Sequence, residues 1–161
     1  MTGPDDACED GGLRSGTCLA GPMSAGMADL LIVDDDEDVA DVLCELLGCE
    51  GHHIRVAHDG AEGIALLTEG QPDAILLDVD MPRLTGPEMA YRLFLRDAGY
   101  EKIPIVLLSG KIDLPRVAAI VGTPYFLGKP YDWARLLTML DRVLVERTPP
   151  HPELPAVAAR G

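Results

Sequence analysis

Short runs that are apolar at nearly every position alternate along this chain with segments whose apolar residues recur at helical spacing, and no other feature limits the fold so strongly. LLIV (30–33), HIRVA (53–57), DAILLD (73–78), IPIVLLS (103–109) and YFLG (125–128) have strand length. Between the first two, Val39, Val42, Leu43, Leu46 and Leu47 follow a helical period that ends near Gly48 and Gly51. GAEGIALLTEG (60–70) reads as a helix with glycines at its ends, and Pro87 suits the first turn of a helix running to about Asp97. A short helix is expected over 113–121, and Trp133, Leu136, Leu137, Leu140 and Leu144 mark a last amphipathic helix that turns them to the core. Strands apolar on both faces must be covered on both, so five strand and helix pairs predict a doubly wound parallel sheet.

At 161 residues the chain has room for one domain plus tails. Residues 1–28 are rich in Gly, Asp, Ser and Ala without period, and TPPHPELPAVAARG (148–161) is rich in Pro and Ala. Both are expected to be disordered, because neither offers apolar surface to offset its ordering entropy. The domain is then 29–147, and Met23 or Met27 is a candidate internal start. The formal charge of −14 argues against direct contact with nucleic acid or anionic lipid, which are themselves polyanions. No apolar run reaches the length of a membrane span and no signal peptide is visible, so the expected location is the cytoplasm. Cys8, Cys18, Cys44 and Cys49 show no metal-site spacing, and the last two read as small apolar residues on a helix.

The informative polar residues terminate the strands: Asp34, Asp35 and Asp36 after the first, Asp78 at the end of the third, Ser109 at the fourth, Lys129 after the fifth. In an open parallel sheet all carboxyl ends share one edge, and ligands bind where the strand order reverses. With the order 2-1-3-4-5, Asp34, Asp35 and Asp78 converge there. Two carboxylates about 4 Å apart repel by roughly 4 kcal/mol at an effective dielectric near 20, so three together call for a cation. Oxygen-only ligands in an open site favour Mg2+. Lys129 and Ser109 supply the cation and hydroxyl that a phosphoryl group on Asp78 needs. The blander alternative is a solvated strand end. Asp34, Asp36, Asp38 and Glu45 also imitate a calcium loop, but Val39 stands where its turn requires Gly.

LLIVDDDEDV, ILLDVDMPRLTG, IVLLSG and FLGKP, in that order, resemble the receiver domain of bacterial two-component response regulators over about residues 29–147. The resemblance implies a flavodoxin-like (βα)5 fold. It also implies a phosphorelay role, with Asp78 accepting a phosphoryl group from a sensor histidine kinase or a histidine phosphotransfer protein. By the same resemblance Asp34 and Asp35 are the acidic pair at Mg2+, joined by Asp78 and the backbone carbonyl of Asp80. Ser109 corresponds to the switch hydroxyl, Lys129 to the family's invariant lysine and Phe126 to the switch aromatic, and a cis peptide is implied between Lys129 and Pro130. Such a protein catalyses only its own phosphorylation and autodephosphorylation. With no output segment evident after residue 147, the expectation is a stand-alone receiver acting through a separate effector protein.

Gly110 follows the switch hydroxyl where the family often has Ala. The interval from Ser109 to Lys129 is shorter than the family's pattern, with Pro115 early in the fourth helix. Asp80 and Lys111 stand at positions that flank the path of attacking water and are expected to pair and modulate dephosphorylation. The runner-up is a haloacid-dehalogenase-type phosphohydrolase, since ILLDVDMP also resembles its DxD motif with Asp78 as nucleophile and Asp80 as general acid. Against it, the acid pair precedes Asp78, and Pro82 stands where Thr or Val is expected. Plain surface, cap and core roles remain open for Lys129, Ser109 and Phe126. His52, His53 and His58 read as exposed residues without partners.

Overall fold

The computed structural model describes residues 27–81, 85–95, 99–110 and 113–152. Five strands, β1 (Asp29–Val33), β2 (His53–Ala57), β3 (Ala74–Asp78), β4 (Ile105–Ser109) and β5 (Phe126–Gly128), alternate with five helices. These are α1 (Glu37–Cys49), α2 (Gly60–Leu67), α3 (Gly86–Leu95), α4 (Leu114–Val121) and α5 (Trp133–Glu146). All neighbouring strands are parallel, in the order β2-β1-β3-β4-β5. The order therefore reverses between β1 and β3, as the sequence predicts.

Because side chains alternate across a strand, each apolar run feeds two cores. Leu30, Ile32, Leu76, Val106 and Leu108 face α1 and α5, where Leu43, Leu47, Leu136 and Leu140 meet them. Leu31, Val33, Ile75, Leu77 and Leu107 face the opposite layer, with Ile64 and Leu67 of α2, Met89 and Leu93 of α3, and Ala118 and Val121 of α4. α1 uses its period more selectively than the sequence implies. Ala40, Leu43, Cys44 and Leu47 are buried, whereas Val42 and Leu46 are exposed and Cys49 is an exposed residue at the helix end.

Local chemistry sets the helix starts. Asp36 caps α1 by accepting from the N–H groups of Asp38 and Val39, and Asp132 caps α5 by accepting from Arg135 N–H. Before α3, Glu88 N–H donates to Thr85 Oγ1 while Thr85 N–H donates to the Glu88 carboxylate, a reciprocal capping box. α4 has no side-chain cap and ends at Gly122, whose φ of +74° favours glycine.

Beyond α5 the chain turns back onto the fold. Thr148 N–H donates to the Tyr125 hydroxyl, Pro150 is buried, and His151 N–H donates to the Gly122 carbonyl at 3.0 Å. Residues 148–152 thus lie against the corner between α4 and β5. Two hydrogen bonds from main-chain N–H groups and one buried proline hold them, and none of these leaves an apolar period in the sequence. The histidines also have local partners: His53 Nδ1 lies 2.9 Å from Asp29 and His58 Nδ1 3.4 Å from Glu62, while His52 Nδ1 accepts from Ala28 N–H.

Candidate functional site

The register of the sheet brings the strand ends to one edge, with Asp78 beside Leu108 and Ser109 beside Gly128. Asp34, one residue beyond β1, and Asp78, the last residue of β3, are both buried although ionisable, while Asp35 between β1 and α1 is exposed. Carboxylate oxygens of these three residues lie within 4.8 Å of one another. Asp36, chemically identical to its neighbours, turns away to cap α1.

Lys129 Nζ stands 3.5 Å from Asp34 Oδ2 and 3.6 Å from Asp78 Oδ1. These separations exceed a good hydrogen bond, so the lysine acts mainly through its charge. Its ammonium pKa is shifted by opposing causes: burial lowers it, but the Asp34 and Asp78 carboxylates outweigh burial and hold it above the usual lysine range. The Asp78 carboxyl is pushed up to about 6, first by burial and next by the Asp34 carboxylate, with Lys129 offsetting only part of this. Tyr131 also enters this field. Burial, then the two buried carboxylates, raise its phenol against the lowering effect of Lys129. The sequence reading missed Tyr131, whose only signal was its place two residues beyond Lys129.

Whether the residues suit a metal ion can be judged from the oxygens themselves. Asp34 Oδ1 accepts from Asp36 N–H at 2.9 Å, but Oδ2 is buried with no hydrogen-bond partner among the described residues. A buried, unsatisfied carboxylate oxygen is costly. A hard cation beside Asp34, Asp35 and Asp78 would satisfy it, and an all-oxygen donor set fits Mg2+. The centre fits the ion.

Ser109 is buried at the end of β4, and its hydroxyl donates to the Asp80 carboxylate at 3.1 Å. Its carbonyl accepts from Lys129 N–H at 2.8 Å, tying β4 to the segment that carries the lysine, and the Lys129–Pro130 peptide is cis. Phe126 is half-buried against the layer holding α4, next to the fully buried Tyr125. Lys111 and Pro82 lie outside the described residues, so the expected Asp80–Lys111 pair is not placed.

A flavodoxin-like sheet with buried acids at the β1/β3 reversal, faced by a lysine that follows β5, defines a doubly wound protein whose acidic cluster lies at the switch point, the place where such sheets bind ligands. The family model for the response regulator receiver domain matches residues 30–141, and the chain belongs to that family. The response regulator MprA of Mycobacterium avium is 37% identical over 131 residues, covering 80% of this chain and 56% of the relative. MprA of Mycobacterium tuberculosis is 36% identical over 133 residues, covering 81% and 56%. The chain thus spans about half the length of these curated relatives. Among solved structures, the chemotaxis protein CheY4 of Vibrio cholerae superposes with a TM-score of 0.68 at 30% identity, over 74% of this chain and all of that one. NtrX of Brucella abortus gives 0.68 at 29% identity, over 76% and 28%. The hydrolase alternative gives way to this family, and the strand carrying Asp78 is the third of the fold rather than the first.

Proposed function

We propose that Asp78 is the phosphoacceptor of a two-component switch, with residues 29–147 as the receiver unit. The observation that carries the reading is the cluster of Asp34, Asp35 and Asp78 faced by Lys129 at 3.5 and 3.6 Å. A carboxylate oxygen of Asp78 attacks phosphorus in a phosphohistidine of a sensor kinase or phosphotransfer protein. The O–P bond forms as the N–P bond breaks, and its electron pair leaves on the imidazole nitrogen. Lys129 compensates charge on the transferred group, and Asp34, Asp35, Asp78 and the Asp80 carbonyl would hold Mg2+. The ion supplies electrophilic neutralisation of the phosphoryl oxygens. Ser109 then hydrogen-bonds the phosphoryl group and Phe126 follows it inward, changing the surface offered to an effector protein.

The formal charge of −14 supports a protein rather than a nucleic acid as that effector. Among the described residues no helix is long and apolar enough to cross a membrane, which supports a cytoplasmic site of action. The chain acts on no substrate other than its own phosphoryl group. Incubation with acetyl phosphate and Mg2+, followed by intact mass, tests the reading. A single phosphoryl adduct that is absent from Asp78→Asn and prevented by chelator is the expected result. Turnover of acetyl phosphate without an adduct would instead favour hydrolase chemistry.

A further inference from the structure

The Ser109 hydroxyl is engaged before any phosphoryl group arrives. It donates to Asp80 Oδ2 at 3.1 Å, bridging the ends of β3 and β4, while Asp80 N–H points back to Asp78 Oδ1 at a long 3.4 Å. A serine hydroxyl has one hydrogen and can donate to one strong acceptor at a time. A carboxylate is among the strongest acceptors available to it. Ser109 is buried at the end of β4 while Asp80 is exposed, so the serine is fixed by the fold and its acceptor lies on the solvent side of the bond.

We propose that the Asp80 side chain is a latch: it holds the Ser109 hydroxyl and so competes directly with a phosphoryl group on Asp78 for that single proton. The proposal rests on Asp78 being the phosphoacceptor and adds a positioning role to Asp80 that is distinct from its main-chain carbonyl. Switching then requires the Ser109–Asp80 hydrogen bond to break, and its strength sets how readily the phosphorylated arrangement forms. Ser109 also receives the Lys129 N–H on its carbonyl, so the latch bears on the segment that carries the lysine.

An anionic side chain near the site would also repel a phosphoryl group through its charge, and a double-mutant cycle separates the two effects. The probe is beryllofluoride in saturating Mg2+, its affinity read by calorimetry for wild type, Asp80→Ala, Ser109→Ala and the double variant. The latch predicts that Asp80→Ala tightens binding by about three- to tenfold when Ser109 is present, the range expected for one hydrogen bond. With Ser109→Ala the same change should have less than about a twofold effect. Asp80→Asn, which keeps an acceptor oxygen, should fall between wild type and Asp80→Ala. An equal gain in both backgrounds would assign the effect to charge and overturn the latch, as would no gain in either. Binding that survives in wild type but vanishes in Asp78→Asn keeps the phosphoacceptor reading intact whichever way the latch falls. Absence of binding in every protein would overturn both.

Discussion

Asp78 is held where its ionised form is disfavoured, and that single fact makes the metal-free protein sensitive to pH. Its folded carboxyl titrates at about 6 against an ordinary 3.8, with burial as the main cause and Asp34 next. A carboxyl raised on folding contributes stability that is complete below about 3.8 and is lost as pH rises through 6. At pH 7 without metal, Asp78 is therefore a liability, worth at most about 3 kcal/mol at 1.36 kcal/mol per pKa unit. Asp78→Asn should raise the metal-free denaturation midpoint at pH 7, and its advantage should shrink toward pH 4. Thermal melts across that range check it, and an Asn variant no more stable at pH 7 would contradict the geometry. Lys129→Ala should act oppositely, destabilising the metal-free fold at pH 7 by about 1–3 kcal/mol because two buried carboxylates lose their cation. Urea titration measures that loss. The convergence of these residues was legible because Asp78 ends β3 while Asp34 and Lys129 directly follow β1 and β5. Asp36 was not separable from Asp34 and Asp35 by residue type, since cap and ligand differ only in where the chain turns.

The elements follow from apolar spacing, and their departures from it have local causes. Val42 and Leu46 satisfy the helical period of α1 yet are exposed, because the sheet is met along the line of Ala40, Leu43, Cys44 and Leu47. A period specifies a stripe, but the neighbouring elements decide how wide the buried part is. The corner after α4 is the least legible part of the fold. A Cβ on Gly122 would collide with the His151 carbonyl group, and the backbone there is left-handed. Gly122→Ala should therefore cost about 1–3 kcal/mol and release the segment around His151. Hydrogen exchange would show this as faster exchange of the His151 amide, whose partner is the Gly122 carbonyl. Unchanged protection would mean that the segment is held by something else. At the start of α3, Thr85→Ala should remove the capping box at a cost of about 1 kcal/mol, measurable as a lower denaturation midpoint.

At the scale of the whole molecule, function depends on where the strand order reverses. Two-sided burial of each strand forces the parallel sheet, and the sheet brings β1 and β3 together so that residues 44 positions apart, Asp34 and Asp78, share one centre. That much could be reasoned from strand-length apolar runs ending in acids, with Ser109 and Lys129 completing the edge. The Ser109–Asp80 bond and the field at Tyr131 could not, because they depend on side-chain directions that spacing does not encode. Membership of the receiver family is a statement about the fold and its motifs, while the residue proposed to carry the phosphoryl group is a claim about this chain. Borohydride reduction tests that claim most directly. After phosphorylation by acetyl phosphate and Mg2+, borohydride converts an aspartyl phosphate to homoserine, and peptide sequencing by mass spectrometry locates it. Homoserine at position 78 alone is the predicted result. Homoserine at 34, 35 or 80 with position 78 unmodified would contradict it.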